Sequence, residues 1–254
     1  MTLAFHATAD GWLRPLDARW KIAGIFALSV GVLALSDPLG AFAVAAAALA
    51  FSRSAGVSSA RLAGRLIPVV GMLLLFFGWS LFRPRADDPT WTFFGLVVSS
   101  SAGWRLLLLL AKASAFIALV FTLVETTPLP ELGQGAAALG IPRLLVHLVL
   151  LTHRYVFVLG DEFARLRRAL RVRGFRSQVN RRTFATIGNI AGALFVRGHE
   201  RSERVYHAMA ARGFDGTFHS LATAQTSGRD IAFFAVAVVM ATAVIVWDRG
   251  RLAL

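Results

Sequence analysis

Seventeen consecutive residues, from 231 to 247, carry no charged side chain. Because a helix needs about 20 predominantly apolar residues to cross the hydrocarbon core of a bilayer, this segment is predicted to span a membrane. Comparable apolar segments occur at 66–82 and 106–124, with charged stretches between them. The pattern predicts an all-α, polytopic integral membrane protein.

Composition agrees with a membrane location. The chain of 254 residues is 56% hydrophobic and 16% charged, whereas a soluble domain carries about 25% charged residues. It contains no cysteine, which excludes a disulfide framework and thiolate metal sites.

About five membrane helices are predicted, with an uncertainty of one. Their apolar cores lie at 22–36, 39–52, 66–82, 106–124 and 231–247. The first two are short for a bilayer, so they are expected to tilt or to lie partly embedded. The arginine-containing stretch 53–65 is predicted to be a cytoplasmic loop, and the apolar stretch 91–98, with Trp91, is placed at the outer interface.

The distribution of charge predicts the topology. The net charge is +13, and residues 126–229 hold fifteen arginines against six acidic residues, a net charge of +9. Because cytoplasmic loops collect Lys and Arg, this block and the N-terminus are placed inside and the C-terminus outside. The predicted domains are an N-terminal transmembrane region with about four membrane helices (1–125), a cytoplasmic domain (126–229) and a C-terminal transmembrane helix (230–254).

The basic block is predicted to contain two long amphipathic helices. Pro142 opens the first, since proline is favoured in a first helical turn, and leucines then recur every three or four residues. The second runs from about Arg182 to Arg212 and includes a favourable Glu200–Arg204 pair. Neither is a long uncharged segment, so both are expected to lie along or beneath the inner leaflet.

Both helices are predicted to end in a similar tripeptide. The two tripeptides, 39 residues apart, are Val172-Arg173-Gly174 and Ala211-Arg212-Gly213. Glycine ends a helix by adopting the left-handed conformation, and the preceding arginine then presents five donors at the helix end. One such tripeptide alone is adequately explained as an ordinary C-cap. Their repetition in the basic block predicts two contact points for a partner with two equivalent sites.

The sequence contains no motif that supports catalysis. It has neither a phosphate-binding loop of the Gly-x-x-x-x-Gly-Lys type nor a His-Glu-x-x-His pair. His147 and His153 lie six residues apart, a poor match to one helix face, so no metal site is predicted. Lys112, inside the span 106–124, is a candidate functional residue that could pair with Glu125 or reach a polar cavity.

The sequence gives less support to two other classes of protein. A lipid-modifying membrane enzyme needs convergent acids, histidines or a metal site, and Glu125, Asp161 and Glu162 form no recognisable one. A membrane-anchored nucleic-acid binder would use the arginine-rich block and bind DNA with steep salt dependence. No groove-entering motif supports that second alternative, so no nucleic acid is expected as a partner.

Several segments together resemble the transmembrane coupling subunit, or T component, of energy-coupling-factor ABC transporters, most closely the CbiQ-type subunit of cobalt and nickel importers. The matching segments are Leu16-Asp17-Ala18-Arg19-Trp20-Lys21, Thr126-Thr127-Pro128 with Leu132, Leu139-Gly140-Ile141-Pro142, Arg154, and the two Arg-Gly ends with the residues before them. Ala18 replaces a usual proline and Val172 a usual alanine. Each motif alone is weak, whereas their order and spacing make the resemblance specific.

The resemblance implies a role and partners. The two arginine tripeptides would dock into grooves on two cytoplasmic ATP-binding subunits, and a separate membrane protein, the S component, would capture the substrate. The residues implied to support the coupling helices are Glu162, Arg168, Ala169, Glu203, Arg204 and Ala208. ATP and Mg²⁺ would bind the ATPase subunits, and this chain would hold no cofactor and catalyse no reaction. Cobalt is the expected ion, with nickel or a vitamin such as biotin as the alternative, in a bacterial inner membrane.

Overall fold

The computed structural model describes residues 11–81, 90–93, 96–176, 178–214 and 226–252. Eight helices and one two-stranded antiparallel hairpin make up this part of the chain. The helices are α1 (Ala18–Ala34), α2 (Pro38–Ser54), α3 (Ser59–Leu81), α4 (Ser100–Thr126), α5 (Leu129–Ala138), α6 (Arg143–Val172), α7 (Arg181–Ala210) and α8 (Gly228–Leu252); the strands are β1 (Thr90–Phe93) and β2 (Leu96–Ser99). The predicted helical, polytopic membrane fold is confirmed, and the hairpin is an addition to it.

The helices belong to two compact units. One contains α1 to α5 and α8, which we call the membrane unit, and the other contains α6 and α7, which we call the paired-helix unit. The division between the two units falls at Gly140, because α5 packs on α1. The domain boundaries at 126 and 229 were drawn from charge, and they stay a prediction.

Helices α1 and α8 run side by side in the same direction. At their first turns, the backbone N–H of Asp17 donates to Asp230, and beyond the end of α1 the N–H of Ser36 donates to Asp248, each at 3.0 Å. Between these contacts α1 presents Gly24 and Gly31 to α8. A Cβ on Gly31 would lie 3.1 Å from the Cα of Ala241, so the glycine allows the close approach that membrane helices use.

Helices α2 and α4 pack through matching rows of small residues. The buried rows are Ala41, Ala45, Ala48 and Ser52 on α2, and Ala111, Ala115, Ala118 and Thr122 on α4. Both rows have spacings of four, three and four residues, which keeps them on one helical face. The Thr122 hydroxyl donates to Ser52 Oγ at 2.8 Å and fixes the register of the two rows.

Four helices are long and apolar enough to cross a bilayer by length and composition, counted among the described residues. They are Ser59–Gly78, Ala102–Thr126, Arg143–Val172 and Gly228–Gly250. Helices α1 and α2 have 17 residues each, about 26 Å at about 1.5 Å per residue, which is short of the roughly 30 Å hydrocarbon core. The predicted set of membrane helices therefore differs at α6, which was expected to lie along or beneath the inner leaflet but is long and apolar enough to cross. The charged residues of α6 lie mostly towards its C-terminal end.

Regular structure occurs in two further stretches, one predicted to be a loop and one placed at the outer interface without an assigned secondary structure. The expected loop at 53–65 is reduced to residues 55–58, because α2 extends to Ser54 and α3 begins at Ser59. Arg61 and Arg65 lie within α3, where Arg61 pairs with Glu125 and the Arg65 guanidinium lies over the Phe121 ring. The apolar stretch at 91–98 contains the hairpin, whose strands pair from Thr90–Ser99 to Phe93–Leu96.

Lys112 contacts a backbone carbonyl group of α1 and not Glu125. Its ammonium donates to the carbonyl oxygen of Leu33 at 2.9 Å, while Glu125 pairs with Arg61. Leu33 is in the last turn of α1, where carbonyl groups lack partners within the helix. Lys112 thus satisfies the C-terminal end of α1 from the neighbouring helix α4.

Candidate functional site

The two arginine tripeptides of the paired-helix unit end their helices with the same hydrogen-bond pattern. After α6, the N–H of Phe175 donates to Leu170 O at 3.0 Å and that of Gly174 donates to Arg171 O at 3.1 Å. This pair of bonds defines a Schellman motif. Because Gly174 has a φ of 76°, it holds the left-handed conformation predicted for it.

The end of α7 repeats this arrangement 39 residues later. The N–H of Phe214 donates to Met209 O at 3.1 Å, and that of Gly213 donates to Ala210 O at 3.0 Å. Gly213 has a φ of 80°. The sequence repeat is therefore also a repeat of backbone structure, and each arginine immediately precedes the residue that reverses the chain.

The side chains at both ends are accessible. Arg173 and Arg212 are exposed, and neither guanidinium group has a hydrogen bond or ion pair within the part of the chain that the structure describes. Val172 is 90% exposed, although its side chain is apolar. Two such exposed guanidinium groups, each beside a small or apolar residue, can bind carboxylates or backbone carbonyls bidentately.

Glu162 links the two helices that carry these ends. Its carboxylate forms ion pairs with Arg165, one turn later on α6, and with Arg197 on α7. Both pairs are also hydrogen bonds. Glu162 was predicted as a supporting residue, and the structure places it between α6 and α7.

The other predicted supporting residues line the exposed surfaces of the two helices. Arg168 and Ala169 are exposed near the end of α6, and Ala208 is exposed near the end of α7. Two side-chain contacts follow the α7 surface at i,i+4 spacing: the Glu203 carboxylate lies 3.7 Å from the His199 imidazole, and Arg204 forms an ion pair with Glu200 at 3.9 Å. The predicted Glu200–Arg204 pair is thus present, and pairs of this kind contribute about 0.3–0.5 kcal/mol.

Three features of the site were not identified from the sequence. A phenylalanine follows each glycine, so the repeat is Arg-Gly-Phe; Phe175 and Phe214 are half-buried at the position where a Schellman motif carries a hydrophobic contact. The third feature is the Glu162–Arg197 pair. The phenylalanines could have been found by extending the alignment of the two tripeptides by one residue, whereas the ion pair depends on how two helices pack.

Large apolar side chains are exposed along both helices of the paired-helix unit. Those more than half exposed include Leu144, Val149, Phe184, Ile187, Phe195 and Tyr206. No group of three His, Asp or Glu side chains suited to a metal ion occurs among the described residues.

Comparison with known proteins identifies the family. The sequence model of CbiQ, described as a cobalt transport protein, matches residues 9–223. The cobalt transport protein CbiQ of Rhodobacter capsulatus is 32% identical over 115 residues, which is 45% of this chain and 47% of that protein. The CbiQ protein of Salmonella typhimurium is 32% identical over 160 residues, covering 59% of this chain and 67% of that protein.

A nickel permease is also similar. LarQ of Lactiplantibacillus plantarum is 28% identical over 187 residues, which is 74% of this chain and 62% of that protein. The chain spans about half the length of the Rhodobacter protein and about two thirds of the other two. Since the family match covers most of the 254 residues, this multi-pass membrane protein belongs to the CbiQ cobalt transport protein family.

Proposed function

We propose that this chain is the transmembrane coupling subunit of an energy-coupling-factor ABC importer for a transition-metal ion. It passes the motion of two cytoplasmic ATPase subunits to a separate substrate-binding membrane component. The observation that carries the proposal is the pair of matching helix ends, each with an exposed arginine before a left-handed glycine. Two equivalent ends on one chain suit a partner that offers two equivalent grooves.

The chemistry of the two ends favours a protein partner with acidic or carbonyl-lined grooves. A guanidinium group forms charge-assisted bidentate hydrogen bonds with such groups. The small residue Ala211 allows close approach before Arg212, whereas Val172 adds bulk before Arg173. We therefore propose that the end of α7 makes the tighter contact.

The same proposal assigns the remaining parts of the transporter. ATP and Mg²⁺ bind the ATPase subunits, and this chain has a non-catalytic role. Cobalt is proposed as the ion because two relatives are named cobalt transport proteins; nickel is the alternative, since a third is named a nickel permease. The proposed location is a bacterial inner membrane.

Charge reversal tests the coupling role. The double variant Arg173→Glu, Arg212→Glu is expected to lose co-purification with the ATPase subunits and ATP-driven uptake, while its membrane insertion stays normal. The matched control is Arg181→Glu, Arg182→Glu, which changes the charge equally at exposed positions in the first turn of α7. The proposal fails if the first double variant still assembles and transports.

Uptake of radiolabelled Co²⁺ and Ni²⁺ by the reconstituted complex tests the identity of the ion. Cobalt is expected to be taken up in preference to nickel at equal concentrations. Transport of nickel alone would reject cobalt while keeping the coupling role.

A further inference from the structure

A buried polar cluster surrounds the first turn of α1 in the membrane unit. Lys21 is fully buried, and its ammonium donates to Thr127 Oγ1 at 3.0 Å and to Arg14 O at 3.4 Å. Thr127 lies between α4 and α5, and Arg14 belongs to the turn that precedes α1. One side chain therefore joins α1 and the turn before it to a segment that lies 106 residues away in sequence.

Acidic groups surround this lysine. The carboxylates that act on the Lys21 charge are those of Glu131, Asp230 and Asp17. Burying an unpaired ammonium would be costly, so these charges and the two hydrogen bonds together make the buried position tolerable. Removing the ammonium would leave the buried Thr127 hydroxyl without its hydrogen-bond donor.

Helix α5 approaches the same part of α1 closely. A Cβ built on Gly135 would lie 3.0 Å from the carbonyl carbon of Ala18 and 3.0 Å from the N of Arg19. Gly135 is buried, and its lack of a side chain lets α5 lie directly on the α1 backbone. The segment of chain that leads into α6 is thus attached to α1 by α5 packing and by the Lys21–Thr127 hydrogen bond.

The start of α8 is attached to the same turn of α1. The carboxylate of Asp230 accepts from the N–H of Asp17 at 3.0 Å and from that of Ser227 at 2.7 Å, so one side chain caps both helices. The Arg19 guanidinium donates to the Thr226 hydroxyl at 3.1 Å. The segment that leads out of the paired-helix unit is therefore also fixed to α1.

Asp17, whose N–H donates to Asp230, is also the N-cap of α1. Its carboxylate accepts from the backbone N–H of Arg19 at 3.0 Å and from the Arg19 guanidinium at 2.8 Å. Partial burial raises the pKa of Asp17, but the hydrogen bonds from Arg19 outweigh it and leave the pKa below its ordinary value. Asp17 is therefore ionised at neutral pH.

We propose that Lys21 is a positioning residue for coupling: through its hydrogen bond to Thr127, Lys21 anchors to α1 the chain connection that leads into the paired-helix unit, while Asp17 and Arg19 hold the connection that leads out of it. This inference rests on the proposed function. Movement of α6 and α7 pulls on these chain connections, and closely packed, hydrogen-bonded joints transmit displacement instead of absorbing it. Loss of the anchor lets the joints absorb the movement, so ATP is hydrolysed with less transport.

The test compares Lys21→Met with Lys112→Met in the full chain. Both changes remove an ammonium that is hydrogen-bonded within the membrane unit, but Lys112 satisfies the end of α1 at Leu33, remote in sequence from both connections. Hydrogen exchange of the purified chain in nanodiscs measures the anchor directly. Amide exchange across Leu129–Ala138 is expected to accelerate by about ten-fold in Lys21→Met alone, because local opening costs less once the joint loses its partner.

The coupling role has a second readout in the reconstituted complex with its ATPase and substrate-binding subunits. ATP hydrolysed per Co²⁺ imported is expected to rise at least about five-fold in Lys21→Met, the lower end of typical coupling effects, and to stay at the wild-type value in Lys112→Met. Thr127→Val, which removes the acceptor hydroxyl, is expected to act in the same direction. Thr127→Ser keeps the hydroxyl and is expected to restore the wild-type ratio.

The possible results separate this inference from the proposed function. Two results would overturn the positioning role of Lys21. One is unchanged amide exchange in α5 of Lys21→Met, and the other is a fall in ATP hydrolysis that is proportional to the fall in Co²⁺ import. A wild-type complex without ATP-driven uptake would overturn the proposed function, and with it the coupling role. The exchange measurement would then still decide whether Lys21 anchors the joint.

Discussion

Glu162 on α6 and Arg197 on α7 form an ion pair that joins the two helices of the paired-helix unit. Because Arg165 shares the same carboxylate, replacing Glu162 with arginine would bring three guanidinium groups together. We expect Glu162→Arg to separate α6 from α7, and the double reversal Glu162→Arg, Arg197→Glu to bring them together again.

Spin labels on the two helices measure this effect. The chain has no cysteine, so labels at introduced cysteines are unambiguous. The control is Glu200→Arg, because Glu200 pairs with Arg204 on its own helix and should leave the distance between α6 and α7 unchanged. A distance distribution that does not respond to Glu162→Arg would show that other contacts hold the helices together.

The second prediction concerns the glycines at the two helix ends. Gly174→Ala and Gly213→Ala are each expected to destabilise their helix end by about 1–2 kcal/mol, the cost of a left-handed conformation for a residue with a Cβ. Beyond the adjoining residues, no atom of the described chain lies within 4 Å of the added Cβ at either position, so the expected cost comes from the backbone. Binding of the ATPase subunits should weaken as the arginines lose their fixed direction.

Gly188→Ala is the matched control for these substitutions. Gly188 lies within α7 and also has open space around its added Cβ, but its φ is negative. Alanine is favoured over glycine within a helix by about 1 kcal/mol, so this change should raise thermal stability in a circular dichroism melt. Equal effects of Gly174→Ala and Gly188→Ala would contradict the role assigned to the left-handed turn.

The sequence allowed the helices and their ends to be predicted because both depend on local patterns. The apolar runs overlap α1 to α4 and α8, although some helix ends lie well outside these runs, and the glycines marked the ends of α6 and α7. The start of α3 was missed because Arg61 and Arg65 suggested a loop; their partners, Glu125 and Phe121, are remote in sequence.

Contacts between distant segments could not be predicted in this way. The Glu162–Arg197 pair, the Lys112–Leu33 contact and the attachment of Asp230 to Asp17 each depend on which helices are neighbours. The sequence also left open whether Lys112 reaches a partner or a cavity, since no local pattern decides that question. The packing of α1 against α4 decides it, because it brings Lys112 to the carbonyl oxygen of Leu33.

The rows of small residues between α2 and α4 make a third prediction. Ala45→Leu places a large side chain in a position that is 4% exposed, and overpacking of this kind costs about 1–3 kcal/mol. Ala46→Leu, one residue later on the exposed face of α2, is the control. Thermal unfolding in detergent should show a lower midpoint for Ala45→Leu alone; equal midpoints would mean that the two helices can separate without loss.

The last prediction concerns the carboxylate of Asp248, near the C-terminal end of α8. Asp248 is buried and accepts hydrogen bonds from the N–H groups of Ser36 and Asp37, at 3.0 and 3.1 Å, just after α1 ends. Asp248→Ala leaves these two donors without their acceptor and, because Ser36 is exposed and Asp37 half-buried, is expected to cost about 0.5–1.5 kcal/mol for each hydrogen bond lost.

Asp248→Asn separates the hydrogen bonds from the charge. Its carbonyl oxygen can still accept from both N–H groups, because Oδ1 of Asp248 already does so. We therefore expect Asp248→Asn to keep most of the stability that Asp248→Ala loses, as measured by the unfolding midpoint and by the reactivity of a cysteine introduced at Ser36. Equal losses in the two variants would mean that the negative charge, rather than the acceptor geometry, holds α8 to the connection between α1 and α2.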